Sequence, residues 1–270
     1  NISVRLAEPD RSVNNNGLQV FGTVQKNPVA TGADLVAYLP TGGGRLEQPY
    51  NPDLDFNTGD FCYMGWGKFN NTSSKNLVSR QVPDGSSLGV NRFLVGFHLS
   101  AGSIRVNVDS GNFISGYVPP RTATWLHVCA TRKDGVLYIY VNGELQSSHS
   151  FTGNLDNLDA KVFTGSLYYN NVYTDTCQAS LVRISATAPT AEQIKKIYED
   201  EKVLFQENAK ATLHGTSDAV TALAYDDTTE LLHVGTSAGR SVFQGLRRVD
   251  NTTDAVGVAI SASNNLVVEE

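Results

Sequence analysis

One short stretch gathers side chains able to hold a sugar. In "GSLYYNNVYTDT", Tyr168, Tyr169 and Tyr173 stand beside Asn170 and Asn171. A carbohydrate site needs a flat apolar face for stacking and fixed donors and acceptors for hydroxyls. Tyrosine and asparagine supply both, and the same pair suits adaptable protein contacts. The competing reading is that two of the three tyrosines simply pack in a core. Acidic turns add a second candidate: Asp156 and Asp159 in "NLDNLDA" carry oxygens of the kind calcium takes, although an acidic turn is commonly a solvated one.

Catalytic chemistry has less support. Glycoside hydrolysis needs two carboxylates aimed into one groove, which two-residue spacing on a strand provides. No such pair falls on an expected strand, and "YEDE" at Tyr198–Glu201 sits on the solvated face of a helix. His98, His149, His214 and His233 lack metal-ligand spacing. His127, mid-strand beside Trp125, reads as a core residue with a hydrogen-bonded ring. Trp66 and Trp125 read as core. Three cysteines are an odd number and make no disulfide scaffold, and none has a base and orienter arranged for nucleophilic attack. The expectation is a binding protein, not an enzyme. "NNT" at Asn70–Thr72 and "NTT" at Asn251–Thr253 match glycosylation acceptors, which matter only on a eukaryotic secretory route.

The elements that must position these residues are strands. Of 270 residues, 40% are hydrophobic and only 18% charged, with 24 glycines, a mix that favours strands and turns. The formal net charge of −6 excludes a general nucleic-acid binder, and Arg247-Arg248 is too short a basic run to reverse that. No apolar run approaches the roughly 18 residues of a membrane span. The chain starts at Asn1, without a charged-then-apolar leader, so a processed or internal start is expected.

Three segments are expected. Residues 1–44 form a β attachment and oligomerisation segment: Leu18, Val20, Gly22 and Val24 alternate with Gln19, Phe21 and Thr23, and "TGGG" at Thr41–Gly44 reads as a linker. Residues 45–206 form a β-sandwich. Within it "TWLHVCATRKDGVLYIYVNGEL" is three strands joined by a turn at Lys133–Gly135 and another at Asn142-Gly143, the strongest short hairpin signal. Leu126, Val128 and Ala130 face one way; Trp125, His127, Cys129 and Thr131 face the other. "VPPRTAT" interrupts the strands with two prolines. An amphipathic helix follows, with Thr190 as N-cap, Gln193 completing a capping box, and Ile194 and Ile197 on its apolar face, expected on the sandwich edge. Residues 207–270 hold a repeat: "DAVTALAYDDTTELLHV" from Asp218 aligns with "DAVGVAISASNNLVVEE" from Asp254. Each unit reads as two strands about a polar turn, with "GTSAGRSVFQGLRRVD" as another hairpin between them. A period of this size fits stacked hairpins or propeller-like blades that other copies or elements must complete.

The middle segment resembles the laminin G-like and pentraxin-like branch of the concanavalin A-like sandwich families. The resemblance rests on "WLHVCAT", "YVNGEL", "FNTGDFCYMGW" and "PTAEQI", in that family's order. Pentraxins carry His-x-Cys-x-Ser/Thr-Trp; His127, Cys129 and Thr131 match, and Arg132 stands in the tryptophan's place. The resemblance implies an all-β antiparallel jelly roll used for carbohydrate or protein binding. It implies a Cys62–Cys129 pair, as a disulfide or as two buried thiols, leaving Cys177 unpaired. In pentraxins the corresponding loop binds calcium; here it is "GSLYYNNVYTDT", which lacks an acidic residue until Asp175, so no cofactor is expected. The flanks are similar to β segments of fibre and tail proteins in marine bacteriophage virions. That likeness implies a homo-oligomer, a trimer favoured, with other virion proteins and a host-surface glycan or protein as partners, and neither nucleic acid nor membrane insertion. The alternative is a secreted or cell-surface lectin-like domain.

Overall fold

The computed structural model describes residues 5–6, 17–83, 92–108, 111–217, 219–253, 260–263 and 266–269. It divides into two compact units: Asn1–Asn27 with Val36–Glu199, and Pro28–Leu35 with Asp200–Glu270. Among the described residues, no helix is long and apolar enough to cross a membrane.

The first unit is the antiparallel β-sandwich that the sequence pattern requires. Its strands are β1 (Arg5–Leu6), β2 (Gln19–Pro28), β3 (Val36–Gln48), β4 (Phe61–Phe69), β5 (Lys75–Gln81), β6 (Phe93–His98), β7 (Ser103–Val108), β8 (Gly111–Ile114), β9 (Thr124–Lys133), β10 (Val136–Val141), β11 (Glu144–Ser150), β12 (Lys161–Thr164), β13 (Leu167–Tyr169), β14 (Val172–Thr174) and β15 (Ala179–Ser185). They form one sheet that folds over at a single β15–β3 contact, Ala179 opposite Tyr38, into two layers: β11-β10-β9-β4-β15 and β3-β12-β5-β6-β7-β8, with β2 on β3. The layers meet through aromatic rings. Phe61 and Tyr63 of β4 lie 5.1 and 4.3 Å, centroid to centroid, from Phe93 of β6, a strand far from β4 in the sheet order. Leu126, Val128 and Ala130 of β9 join this interior, as their alternation required.

The opposite face of the first layer is also apolar, and the helix α1 (Ala191–Lys202) covers it. Ile194 is fully buried against Cys62, Met64, Cys129 and Tyr140, worth about 1.5–3 kcal/mol for one such side chain. The helix therefore lies across a sheet face, not along the edge that the sequence suggested, because β4 and β9 are apolar on both sides. The capping box forms as expected: the Thr190 backbone N–H donates to Gln193 Oε1 at 2.8 Å, and the Gln193 N–H donates to Thr190 Oγ1 at 3.3 Å.

Two local expectations need correction. Thr41–Gly44 is not a linker but part of β3. Gly44 serves close packing, since a Cβ there would lie 2.1 Å from the Thr23 carbonyl oxygen of β2, whereas Gly42 and Gly43 hold positive φ, 56° and 81°. Trp66 is buried, but Trp125, at the start of β9, is only half-buried and sits 5.9 Å beneath the Lys68 ammonium. The Asn142-Gly143 turn has both residues at positive φ, 52° and 76°, the type I′ geometry that joins β10 to β11.

In the second unit, β16 (Val220–Asp226), β17 (Leu231–Thr236), β18 (Gly239–Gln244) and β19 (Arg247–Thr252) make a four-stranded antiparallel sheet in chain order. β20 (Ile260–Ser263) pairs with β21 (Leu266–Glu269). Each aligned repeat thus carries a two-stranded hairpin; Asp218, residues 254–259 and residues 264–265 lie outside the described residues, as do Asn14–Asn16 of the expected N-terminal turn. Asp34 ties this unit together, accepting from the Ala211 N–H, Thr212 Oγ1 and Lys210 Nζ. Burial would raise its carboxyl, but these bonds outweigh that and hold it below the usual range.

Candidate ligand-binding surface

The tyrosine–asparagine stretch forms a tight hairpin, β13–β14, on the outer face of the second layer. Two residues turn the chain, and Asn170 and Asn171 both sit at positive φ, 49° and 62°. Asparagine tolerates that left-handed region where most residues do not. Sequence reading took the two amides as ligand groups; the backbone also needs them to make the turn.

The register separates the aromatic side chains. Tyr168 and Tyr173 are a cross-strand pair, with centroids 4.9 Å apart. Tyr173 packs on buried Phe163 at 5.5 Å. Tyr169 and Val172, paired at the tip, remain 43% and 55% exposed. Packing and presentation are therefore divided: Tyr173 anchors, Tyr168 is half-buried with its hydroxyl donating to Asn171 Oδ1 at 3.3 Å, and Tyr169 stands outward.

Bonds to the sheet hold the hairpin. Gln81 Nε2 donates to the Tyr168 carbonyl at 2.6 Å, and Ser79 Oγ donates to the Ser166 carbonyl at 2.9 Å. The Arg45 guanidinium is stacked between Phe21, 3.8 Å away, and Tyr173, 4.7 Å away. Its Nε donates to Glu47 Oε2 at 2.6 Å, and Lys161 Nζ donates to Glu47 Oε1 at 2.7 Å. Burial pushes the Glu47 carboxyl upward, but its bonds to Lys161 and Arg45 prevail and keep it ionised. Arg45 and Lys161 against Glu47 leave one net positive charge beside the aromatic faces.

The other sequence candidates fall elsewhere. Asp156 Oδ1 accepts the Asn57 backbone N–H at 2.7 Å, and Asp175 Oδ2 accepts from Asn76 Nδ2 at 3.3 Å. Among the described residues, no three His, Cys, Asp or Glu side chains group to hold a metal ion. Cys62 and Cys129 are adjacent, Sγ to Sγ 3.7 Å, and are thiols here; Cys177 is buried apart from them. His127 is fully buried, but its expected hydrogen bond is absent: among the described residues neither ring nitrogen has a partner. The ring lies 5.5 Å from Trp66 and 6.2 Å from Tyr198 of α1. Burial, aided by the charge of Arg183, lowers its pKa to about 4, so it stays neutral.

Sequence reasoning missed two buried arginines that position the rim loops. Arg132 lies between Phe61 and Phe151 and donates to the carbonyls of Gly59, Gly153 and Asn57 at 2.6–2.8 Å. Arg80 pairs with Asp55, which also accepts from Tyr50 Oη at 2.7 Å. The available signal was an arginine inside each of two apolar strands, "LVSRQV" and "VCATRK". A cleft of about 390 Å³ opens beside this network, lined by Gln19, Gln48, Tyr50 and Asn51 among others.

Comparison with known proteins agrees with this architecture. Among curated proteins, none matches the chain by sequence. The binding domain of Paraclostridial Mosquitocidal Protein 1 is 14% identical with a TM-score of 0.54, the alignment covering 99% of this chain and 66% of that one. The binding domain of botulinum neurotoxin DC, solved in complex with rat synaptotagmin II, is 12% identical with a TM-score of 0.51, covering 99% and 68%. A Trypanosoma rangeli sialidase is 12% identical with a TM-score of 0.51, covering 69% of this chain and 30% of that one. At such identities the likeness is one of fold. The family described as the concanavalin A-like lectin/glucanases superfamily (Laminin_G_3) matches residues 42–195, more than half of the sequence. The chain belongs to the concanavalin A-like lectin/glucanase superfamily.

Proposed function

We propose that this chain is a non-enzymatic virion structural protein that displays its lectin-like sandwich to bind a host-surface carbohydrate or receptor. The observation carrying this reading is the β13–β14 hairpin. It presents Tyr169, Asn170 and Asn171 at an exposed tip, backed by Tyr168, Tyr173 and Arg45 on a fixed sheet. Stacking faces and amide groups on a rigid support lose little entropy when a ligand docks. Support also comes from the two toxin binding domains, which share the fold over nearly all of this chain. Phage-like flanking segments favour a virion setting, where many weak sites on one particle act together. Binding in this reading is independent of calcium, because the candidate hairpin, Leu167 to Thr174, carries no carboxylate.

The test is a glycan array and a host-cell adsorption assay with the 270-residue chain and its Tyr169→Ala variant, each with and without a chelator. The reading expects binding that falls about tenfold or more in the variant and ignores the chelator. Binding unchanged by Tyr169→Ala, or abolished by chelation, contradicts it.

A further inference from the structure

In the second unit, all seven residues of strand β16 are exposed, unlike any other strand whose burial is described. It is the outer strand of the β16-β17-β18-β19 sheet, so among the described residues one row of its backbone donors and acceptors lacks a ladder partner. Val220, Leu223 and Tyr225 are 49%, 66% and 63% exposed. "VTALAYD" is rich in strand-forming residues and carries no lysine, arginine or proline; of the usual guards of a free edge it has a bulge, between Val220 and Ala222, at one end only. The other edge of the same sheet is guarded. β19 carries Arg247 and Arg248, Arg240 pairs with Asp250 at 3.5 Å, and the Arg248 N–H donates to the Lys210 carbonyl at 2.8 Å.

We propose that β16 is a homotypic interface: it pairs antiparallel with β16 of a second copy of this chain, about a twofold axis through Leu223. The sequence is self-complementary in that register. Leu223 faces Leu223 of the second copy, Ala222 faces Ala224, Thr221 faces Tyr225, and Val220 faces Asp226. No two like charges are opposed, and the aromatic–threonine pairs are of the type that stabilises antiparallel sheets. The acidic end does not obstruct approach, because Asp226 is folded onto its own turn, accepting the Thr228 N–H at 2.9 Å and Thr229 Oγ1 at 2.7 Å. Joining the edges makes one continuous eight-stranded sheet from two four-stranded ones and removes both exposed rows of backbone groups. The contact closes on itself, so it makes dimers; a threefold assembly requires a different surface.

The experiment is light scattering and sedimentation of the intact 270-residue chain over a concentration series, with three variants. Wild type is expected at twice the 29.1 kDa chain mass, and Leu223→Lys at the mass of one chain. Leu223 is largely exposed, so this change leaves the fold intact, which circular dichroism verifies. The native cysteines are buried, so Leu223→Cys supplies an accessible thiol at the twofold, and mild oxidation links it to itself. Val249→Cys, exposed on the opposite edge, does not link. A monomeric wild type, a trimer, a dimer insensitive to Leu223→Lys, or equal cross-linking at Val249→Cys overturns the proposal. So does a wild type that associates only with a different protein.

Discussion

Lowering the pH through the histidine range is expected to loosen the attachment of α1, because His127 is buried beneath that helix without a partner among the described residues. In the unfolded chain this imidazole takes a proton below its ordinary value of 6.5; in the folded protein it does so only near 4. Between those values the unfolded state binds more protons, so stability falls as the pH falls. Each pH unit in that window removes about 1.4 kcal/mol. The loss is about 2 kcal/mol at about pH 5 and roughly 3 kcal/mol once the folded-state value is reached. Only His98 adds a second resolved histidine contribution of the same sign, again from burial, with the charge of Arg105 contributing. The carboxylates with lowered values, Asp34, Glu47, Asp55, Asp60, Glu192 and Asp226, act in a different window: their contribution is lost as pH falls through 4.5 and 3.8 and below. Urea unfolding at about pH 7.5 and about pH 5 therefore isolates the histidines. His127→Leu, close in volume, is expected within about 1.5 kcal/mol of wild type at neutral pH, with most of the acid-dependent loss gone. A wild type equally stable at both pH values, or a variant with the wild-type slope, refutes the reasoning.

Three further outcomes test the supports of the candidate surface. Ile194→Ala, at the buried centre of the helix–sheet contact, is expected to cost about 2–5 kcal/mol in chemical denaturation; a change under about 1 kcal/mol shows that α1 is dispensable. Arg132→Met strands the carbonyls of Gly59, Gly153 and Asn57 and is expected to cost about 1–3 kcal/mol for each carbonyl that stays buried and unpaired; a neutral result contradicts the positioning role. Burial raises the Cys129 thiol, next to Cys62, and raises Cys177 to about 12, so a maleimide reagent is expected to label no cysteine in the native protein and all three after denaturation. Labelling of Cys177 alone after denaturation shows Cys62 and Cys129 to be oxidised.

Much of the sandwich was legible because alternation on a strand is a physical constraint. Leu126, Val128 and Ala130 had to share a face, and the Asn142-Gly143 pair had to turn. The capping box at Thr190 marked the helix start, yet its seat on a face went unread. That seat depends on Cys62, Met64 and Cys129 forming a second apolar surface, which appears only when β4 and β9 are paired. The glycines at Gly42–Gly44 looked like a linker because local sequence records flexibility and not the neighbour, here β2, whose closeness excludes a side chain at Gly44. The tyrosine stretch was visible by composition. Its division into anchor and tip followed only from the two-residue turn that pairs Tyr168 with Tyr173. Arg80 and Arg132 gave almost no signal, since their partners are mainly backbone carbonyls of loops distant in the chain.

The most direct measurement is an amide chemical-shift titration of the isotopically labelled chain with a glycan identified by the array. Shifts concentrated on Leu167–Thr174, with Arg45 and Phe21 responding through their contact with Tyr173, are what a binding hairpin produces. Shifts confined to the cleft beside Tyr50, or spread without a centre, contradict it.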